Sequence, residues 1–384
     1  MDKFSKKVWD VIIVGAGPAG STVAYELAKK GITVLILERK KLPRYKACGG
    51  GINVRAMSLL DSDPQALIED VVFGLRLSYK FGESITRLYD KPLTYTVMRD
   101  KFDYLLTQKA KEAGAQIVDM EEVKHATEEA SRVIVRTQKR DLVARVIVGA
   151  DGAKSIVAHT LGLMRRSGLD IGIETEVYVE NDKLSQWRGV AGVDYANIPA
   201  GYGWIFPKRD HLSIGVGGPI QFAKKLKPYL TLLIQSQDLG NFRILSLKSS
   251  PMPLRNKGVP ITQGKGLLVG DAAGLIDALT GEGIYYGIRS AQLAAPVIAT
   301  FLEGNMSDLK DYERSVDTEL MPELRVARTL AMLTSLAPKT FFRLIAENDR
   351  VWKAFCRILR GEKTYVSLKA ELGPFQFLFD LLSK

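Results

Sequence analysis

The chain has 384 residues, of which 46% are hydrophobic and 25% are charged, and its formal net charge is +11. This composition is that of a globular protein and excludes wholesale disorder, and the length suffices for two domains or one large composite domain. The two cysteines, Cys48 and Cys356, offer neither a disulfide framework nor zinc-ligand spacing, and the three histidines are scattered along the chain. We therefore expect a reducing compartment and no metal site.

The excess of basic residues has three interpretations: solubility, attraction to anionic lipid headgroups, and nucleic-acid binding. Headgroup attraction contributes about 1 kcal/mol for each well-placed Lys or Arg. Nucleic acid is disfavoured because the chain has no basic stripe interleaved with aromatic residues and no DNA- or RNA-binding motif. No uncharged run reaches the roughly 18 residues of a membrane span, and the charged residues 1–10 do not form a secretory signal. We expect a cytoplasmic protein that is peripheral at a membrane surface.

Residues 11–38 have the pattern of a dinucleotide-binding β-α-β unit. An apolar strand at 11–14 leads into Gly15, Gly17 and Gly20, which match G-x-G-x-x-G, and a helix follows. The first glycine permits a tight turn, the second lets a pyrophosphate approach the backbone, and the third allows helix and strand to pack closely. Glu38, 18 residues beyond Gly20, is placed to accept hydrogen bonds from a ribose diol. This unit suits NAD and FAD equally.

Residues 39–51 follow without helical or strand periodicity and are predicted to form a loop. Three consecutive glycines come directly after Cys48 and indicate unusual dihedral angles or a close approach to a ligand. A free cysteine is most often a small apolar filler. Residue chemistry alone favours that interpretation over a thiol beside a reactive cofactor ring.

The rest of the chain shows two kinds of periodicity. The mostly β stretch at 168–218 lacks the parallel α/β pattern, which favours an inserted antiparallel sheet. A buried strand and a long helix then resume the nucleotide-binding pattern, so that domain is discontinuous. The predicted elements are strands at 74–79 and 86–89, a helix at 102–113, strands at 116–119, 132–137 and 142–148, the β region at 168–218, a helix at 221–235, a strand at 266–269, a helix at 284–302 and mixed helices from 308 onward.

Two further glycine-acid motifs follow the first: residues 149–152, which read Gly-Ala-Asp-Gly, and the pair Gly270-Asp271. In this order the three motifs resemble the FAD-dependent aromatic hydroxylase superfamily. The resemblance implies that FAD is the cofactor, with the second motif by its pyrophosphate and riboflavin and Asp271 at its ribityl chain. Arg99 resembles a flavin-contacting arginine of that superfamily, although residue chemistry alone describes a surface arginine equally well.

Two stretches narrow the resemblance to the geranylgeranyl reductase family. Residues 46–50 (Lys-Ala-Cys-Gly-Gly) resemble its cysteine-glycine loop, and residues 199–207 match its P-x-x-Y-x-W-x-F-P signature. Members saturate isolated double bonds of prenyl chains in archaeal lipids, in the chlorophyll phytyl tail or in prenylquinones. Tyr202, Trp204 and Phe206 alternate along a strand and so share one face. That face is an ordinary core face or, under the resemblance, the wall of an isoprenoid groove.

The resemblance implies an FAD-dependent reductase that transfers a hydride from reduced flavin to a prenyl double bond of a lipid, chlorophyll or quinone. Cys48 is then the leading catalytic residue, as redox participant, proton relay or shape-setter, and Tyr202 is a weaker proton donor. The implied electron donor is NADPH or a reduced ferredoxin-type carrier. The substrate would contact Tyr202, Trp204 and Phe206. The residues expected to contact FAD are Gly15, Gly17, Ala19, Gly20, Glu38, Arg39, Cys48, Gly49, Gly50, Arg99, Asp151, Gly152, Gly270, Asp271, Gly281 and Gly283.

The expected fold class is α/β with antiparallel β. A Rossmann-like, discontinuous FAD-binding domain comprises residues 1–73, 96–167 and 260–304, an inserted antiparallel-sheet substrate domain comprises 74–95 and 168–259, and a C-terminal helical region comprises 305–384. We expect peripheral membrane contact through the C-terminal helices. Two alternatives stay open: an FAD-dependent monooxygenase that hydroxylates an apolar substrate, and a non-catalytic, FAD-bearing carrier of prenyl lipids. Cys48 and the glycine loop have no evident use in a carrier.

Overall fold

The computed structural model describes residues 7–61, 64–165 and 167–371. The strands in chain order are β1 (Val8–Val14), β2 (Val34–Leu37), β3 (Gly51–Asn53), β4 (Ile68–Val72), β5 (Gly74–Tyr79), β6 (Ser84–Leu88), β7 (Thr94–Val97), β8 (Gln116–Val118), β9 (Val123–Glu129), β10 (Arg132–Thr137), β11 (Asp141–Gly149), β12 (Gly168–Val179), β13 (Val190–Tyr195), β14 (Tyr202–Pro207), β15 (Leu212–Pro219), β16 (Phe242–Leu254), β17 (Thr262–Gln263) and β18 (Gly266–Leu268). The helices are α1 (Pro18–Ala28), α2 (Val54–Met57), α3 (Arg99–Glu112), α4 (Ile156–Thr160), α5 (Asn181–Ser185), α6 (Ala223–Gln235), α7 (Ile284–Leu302), α8 (Lys310–Glu319), α9 (Met321–Leu336), α10 (Pro338–Glu347), α11 (Asp349–Leu359) and α12 (Tyr365–Glu371).

The first sheet holds the parallel strands predicted from the glycine-rich unit. Its order is β17-β18-β11-β1-β2-β8, with the antiparallel strands β10 and β9 attached beside β11. The apolar side chains of β1 from Trp9 to Val14 are buried in one core together with those of α1 and α7. Val14 at the end of β1 pairs with both Leu37 and Gly149. The turns after β1, β2 and β11 therefore meet at one edge, where ligands bind in folds of this kind.

The second sheet runs in the order β16-β12-β15-β14-β13-β5-β6 and is antiparallel except for the β13-β5 pair. Helix α6 covers one face, where Leu226 and Leu233 are buried. Tyr202, Trp204 and Phe206 leave β14 toward the other side, where they line a large cavity. The sheets and the helices together confirm the predicted α/β fold with an additional antiparallel sheet, while the exact domain boundaries stay a prediction.

Sequence patterning did not predict the edge strand β16. Phe242, Ile244 and Leu247 on this strand are exposed, and Pro251 and Pro253 lie within it. Proline is tolerated there because an edge strand has one row of amides that needs no partner in the sheet. A third, short sheet has the order β3-β7-β4. Its strand β3 begins at Gly51, which was predicted to lie in the loop at 39–51.

The C-terminal region is helical from α8 to α12, as predicted for its described part; residues 372–384 lie outside the described residues. Helices α10 and α11 pack on the second sheet, where Phe342 and Trp352 are buried against Leu75. Trp352 Nε1 donates to the carbonyl of Leu88 at 3.0 Å. Among the described helices, none combines the length and apolarity that a bilayer span requires.

Candidate active site

A cavity of about 660 Å³ lies between the carboxyl edge of the first sheet and the face of the second sheet that carries the aromatic residues. All residues expected to contact cofactor or substrate line it except Gly20, which lies beneath the glycine-rich turn, where an added Cβ would be 2.1 Å from the Gly15 carbonyl oxygen. The structure therefore brings together motifs that are separated by more than 250 residues of sequence, from Gly15 to Gly283.

The glycine-rich turn forms the nucleotide end of the cavity. Gly15 has φ +103°, and a Cβ on it would lie 2.4 Å from the carbonyl oxygen of Ala150. Helix α1 starts directly after Gly17 with Pro18 in its first turn, and no described side chain caps this terminus. Its first amides and the partial positive charge of the helix end are thus available to an anion. The space beside Gly17 is bounded by Arg44, whose Nη2 would be 3.6 Å from an added Cβ.

A ladder of buried charges runs from this end toward Cys48. Glu38 accepts hydrogen bonds from the amides of Ala16 at 3.2 Å and Lys40 at 3.0 Å, and from Arg44 Nε at 3.1 Å. Arg44 Nη1 continues to Asp103 at 2.9 Å. Asp103 also accepts from Arg99 Nε at 2.8 Å and Nη2 at 3.1 Å.

Arg99 ends this ladder beside the thiol of Cys48. Burial opposes the charge on Arg99, but Asp103 and Cys48 outweigh it and raise the pKa of the guanidinium. Sequence reasoning missed Arg44 and Asp103. The spacing of Arg99 and Asp103, four residues apart on one helix face, was the available signal for that pair.

The cysteine-glycine loop is pressed against the aromatic wall. A Cβ on Gly49 would lie 2.7 Å from both Phe206 Cδ2 and Trp204 Nε1, so only glycine fits there. The Gly50 amide donates to Cys48 Sγ at 3.4 Å. Lys208 is 1% exposed, and its Nζ donates to the carbonyls of Gly49 at 2.7 Å and Val97 at 2.8 Å. Burial lowers the pKa of Lys208, although nearby carboxylates and the Cys48 thiol oppose that shift.

Tyr202 joins the aromatic wall to the loop before α7. Its phenol donates to the carbonyl of Thr280, and its ring centroid lies 6.1 Å from that of Trp204. Burial raises the pKa of Tyr202, so the phenol is protonated at neutral pH. Its proton is held by a backbone carbonyl, which makes it a weaker donor than a free phenol.

The carboxylates of the second and third glycine-acid motifs have different partners. Asp151 accepts from Ser155 Oγ at 2.6 Å and from the Ile156 amide at 2.7 Å, so it fixes the turn that leads into α4. Burial raises the pKa of Asp151, although these hydrogen bonds oppose the shift. Asp271 lines the cavity, and its Oδ1 would lie 2.9 Å from a Cβ on Gly283. The third motif is thus closely packed against the loop that contains Gly281 and Gly283.

The far end of the cavity is apolar and is built in part by the C-terminal helices. Phe341 of α10, with Phe355 and Leu359 of α11, lines it together with Leu93. These residues belong to the same apolar cluster as Phe206, so the far end is continuous with the aromatic wall. Sequence reasoning did not assign these C-terminal residues to the site.

The residues around the cavity fit FAD. The uncapped start of α1 and the open space at Gly17 suit a pyrophosphate. Trp204 Nε1 is buried at the cavity wall without a hydrogen-bond partner among the described residues. That nitrogen lies directly against Gly49, so it marks how closely the aromatic wall packs on the cysteine-glycine loop.

Comparisons with known proteins agree with this geometry. A family model described as an FAD binding domain matches residues 8–200. Digeranylgeranylglycerophospholipid reductase 1 of Methanopyrus kandleri is 30% identical over 369 residues, which cover 89% of this chain and 95% of that relative. This chain belongs to the geranylgeranyl reductase family. Another relative, the geranylgeranyl diphosphate reductase of Rhodobacter capsulatus, is 30% identical over 317 residues, with 79% of this chain and 78% of the relative covered.

A solved structure supports the fold of this family member. The crystal structure of a geranylgeranyl bacteriochlorophyll reductase-like protein from Thermoplasma acidophilum superimposes with a TM-score of 0.80 at 24% identity, covering 95% of this chain and 99% of that one. The predicted family, the FAD cofactor and the enzyme class are confirmed: the protein is an FAD-dependent oxidoreductase of the geranylgeranyl reductase type.

Proposed function

We propose that this enzyme saturates isolated double bonds in a geranylgeranyl or other polyprenyl chain carried on a lipid, chlorophyll or quinone. The observation that carries the proposal is the continuity of the cavity, from the glycine-rich turn past Cys48 and the aromatic wall to the apolar end at Phe341 and Leu359. The names of the relatives, reductases of geranylgeranyl diphosphate and of digeranylgeranylglycerophospholipid, support the same substrate class.

The chemistry divides between cofactor and chain. FAD, when bound and reduced, would supply the hydride for one alkene carbon. Trp204 and Phe206, packed directly on the cysteine-glycine loop, would form the wall of the cavity beside it, orient the alkene there and exclude water, which places the reacting atoms and prevents side reactions. An isolated alkene has no carbonyl on which negative charge develops, so the chain needs no oxyanion hole. We propose NADPH or a reduced ferredoxin as the source of electrons.

We propose that Cys48 is a catalytic residue, because its thiol lies between the Arg99 guanidinium and the Gly50 amide at the middle of the cavity. Tyr202 bounds the cavity and stays the weaker proton donor, because its O–H is committed to the Thr280 carbonyl. Contacts of the prenyl chain with Tyr202, Trp204 and Phe206 belong to the same proposal.

The test is anaerobic incubation of the FAD-loaded protein with dithionite and either geranylgeranyl diphosphate or a digeranylgeranylglycerophospholipid. We expect mass spectrometry to show products heavier by one H₂ per reduced bond. In a parallel aerobic incubation with NADPH, a hydroxylated product would support the monooxygenase alternative instead. Tight FAD and lipid binding without any product would support the carrier.

We also propose peripheral membrane contact through the C-terminal helices. Met332 and Leu336 of α9 and Leu344 of α10 are exposed apolar residues, and the chain is basic. Sedimentation with vesicles rich in anionic phospholipid should carry the protein into the pellet at low salt. Complete recovery in the supernatant would contradict this proposal.

A further inference from the structure

Strand β12 carries a row of acidic residues on the face that borders the cavity. Asp170, Glu174 and Glu176 are separated by even numbers of residues and therefore leave the strand on the same side. Glu174 is 3% exposed and Glu176 is 6% exposed. Two buried carboxyl groups so close to each other need specific partners, because burial without partners is costly.

The hydroxyl of Tyr45 links the two glutamates. It donates to Glu174 Oε1 at 2.7 Å and lies 3.4 Å from Glu176 Oε1. Tyr45 comes from the loop after β2, three residues before Cys48. Burial and the two carboxylates raise the pKa of Tyr45, so its hydroxyl keeps a proton.

The row reaches solvent through the turn between β14 and β15. Glu176 Oε2 lies 3.1 Å from His211 Nε2, an ion-pair distance, and neither atom has a well-aligned hydrogen-bond partner among the described residues. His211 Nδ1 lies 2.6 Å from Asp210 Oδ1, and the Asp210 side chain is 81% exposed. Burial opposes the charge of His211, but the neighbouring carboxylates of Glu176 and Asp210 outweigh it and raise the pKa of the imidazole.

At its inner end the row reaches the proposed reaction site. Glu174 and Tyr45 both line the cavity, as does Cys48, and Glu174 accepts a hydrogen bond from the Cys48 amide. Burial raises the pKa of Glu174, although the hydrogen bonds from Tyr45 and Cys48 oppose the shift. A chain of contacts thus connects solvent at Asp210 with the cavity wall at Glu174.

We propose that His211, Glu176, Tyr45 and Glu174 conduct the proton that the reduction consumes, with Glu174 as its donor in the cavity. The inference rests on the proposed function. The alkene π bond breaks as one carbon takes the hydride supplied by reduced FAD and the other takes the carboxyl proton of Glu174. Two C–H bonds form and FAD is left oxidised. Glu174 then takes the hydroxyl proton of Tyr45, and Tyr45 takes a proton from Glu176 in the same step. His211 returns a proton to Glu176, and water returns one to His211.

An internal path serves a need that this reaction creates. An apolar chain that fills the cavity keeps bulk water away from the alkene, so the proton must come through the protein. Ionisable groups on neighbouring elements also face the path and set its charge balance. Those groups are Lys46, Cys48, Glu69, Arg99, Lys101, Lys208, Arg209 and Lys248.

The experiment is a single turnover of FAD-loaded enzyme that has been reduced with dithionite and mixed rapidly with geranylgeranyl diphosphate or a digeranylgeranylglycerophospholipid. Flavin absorbance reports reoxidation between about pH 5 and 9, which brackets the ordinary pKa of histidine. Glu174→Gln keeps the shape and an acceptor for the Cys48 amide but holds no transferable acid proton. We expect its rate to fall on the order of 10²- to 10⁴-fold, the usual size of general acid catalysis.

The outer residues give separate readouts. Tyr45→Phe should slow reoxidation. Its control Tyr178→Phe, at an exposed position of strand β12, which also carries Glu174 and Glu176, should not. His211→Gln should lose the wild-type pH dependence and regain rate when imidazole is added, whereas His159→Gln should behave as the wild type. If Tyr45 and His211 had only structural roles, their variants would lose FAD or thermal stability. The pH profile would then stay that of the wild type, and added imidazole would not restore the rate.

Three results would overturn the path. One is a wild-type rate and pH profile in FAD-loaded Glu174→Gln; another is the same result in Tyr45→Phe; the third is a wild-type reaction without a solvent deuterium isotope effect, which needs no variant to fold. If the wild-type enzyme reduces neither probe, the proposed function fails instead, so the two failures are distinguishable.

Discussion

The two ends of the cavity are built in different ways. At the nucleotide end, backbone groups of short, contiguous segments form the surface: the turn from Gly15 to Gly17 and the uncapped start of α1. At the apolar end, side chains from distant parts of the chain form it, from Leu93 to Phe341 and Leu359. A backbone site tolerates almost no change of residue type at its glycines, whereas a side-chain site can be altered one contact at a time.

This difference matches the two tasks. A cofactor that is the same in every turnover suits a rigid cradle with fixed amides. The prenyl chain proposed as substrate would present only apolar surface, so its site would need a matching shape and the exclusion of water rather than polar contacts. Cys48 and the glycines after it lie where the two constructions meet. Substitutions at the nucleotide end should therefore have large, all-or-none effects, and those at the apolar end smaller and graded ones.

The largest effect is expected for Gly15→Ala. The new Cβ would lie 2.4 Å from the Ala150 carbonyl oxygen at a residue with φ +103°, and the clash is with backbone that cannot yield. We expect loss of bound FAD and a decrease of about 4 kcal/mol or more in the free energy of unfolding. Flavin absorbance after gel filtration and denaturant unfolding measure the two effects.

Gly31→Ala is the matched control for this substitution. Gly31 also has positive φ, +76°, but a Cβ there meets nothing within 4 Å. Only the backbone strain of about 1–2 kcal/mol should remain, with FAD retained. Equal losses in the two variants would contradict the interpretation of the turn as a tightly packed cradle.

Lys208→Met should have the next largest effect. The carbonyls of Gly49 and Val97 would lose their buried donor, which should lower the free energy of unfolding by about 3 kcal/mol. The cysteine-glycine loop should also become mobile, so the rate of flavin reoxidation by substrate should fall more than the affinity for FAD. Lys224→Met, at an exposed position of α6, should change stability by less than about 0.5 kcal/mol.

The contrast between contiguous backbone segments and distant side chains also explains how much of this site the sequence predicts. The glycine motifs were predictable because a fixed spacing of glycines constrains a short backbone segment, and the aromatic wall because alternation places Tyr202, Trp204 and Phe206 on one face. The resemblance to the family then indicated that both features belong to an FAD site. These inferences use residues that are close in sequence or a motif that carries its own context.

The remaining parts could not be predicted because their partners are distant in sequence. Lys208 contacts Gly49 across 159 positions, Tyr45 contacts Glu174 across 129, and Arg44 contacts Asp103 across 59. A lysine after a strand or a glutamate within one has no local sign of burial. Only the packing of the two sheets against each other places these charges in a common interior.

The charge of Asp170 allows a prediction of pH dependence. Burial raises the pKa of Asp170 to about 6, although Arg328 opposes the shift. A carboxyl group with a raised pKa binds its proton more tightly in the folded state, so its contribution to stability is lost as pH rises from about 4 to 6. Asp170→Asn should therefore raise the free energy of unfolding at pH 7 by about 2 kcal/mol. Asp90→Asn, at an exposed position, should leave both the stability and its pH dependence unchanged.

The smallest effect is expected where two adjacent phenylalanines face different ways. Phe342 is 2% exposed and packs in the core between α10 and the second sheet, whereas Phe341 lines the cavity. Phe342→Ala is the control for core packing and should cost about 3–5 kcal/mol of stability. Phe341→Ala should leave most of the stability intact and raise KM for a geranylgeranyl substrate about tenfold, the equivalent of about 1.4 kcal/mol of lost apolar contact. Steady-state kinetics with unchanged FAD content measures this effect. If Phe341→Ala changes stability as much as Phe342→Ala and leaves KM unaltered, the C-terminal helices support the second sheet without forming the apolar end of the site.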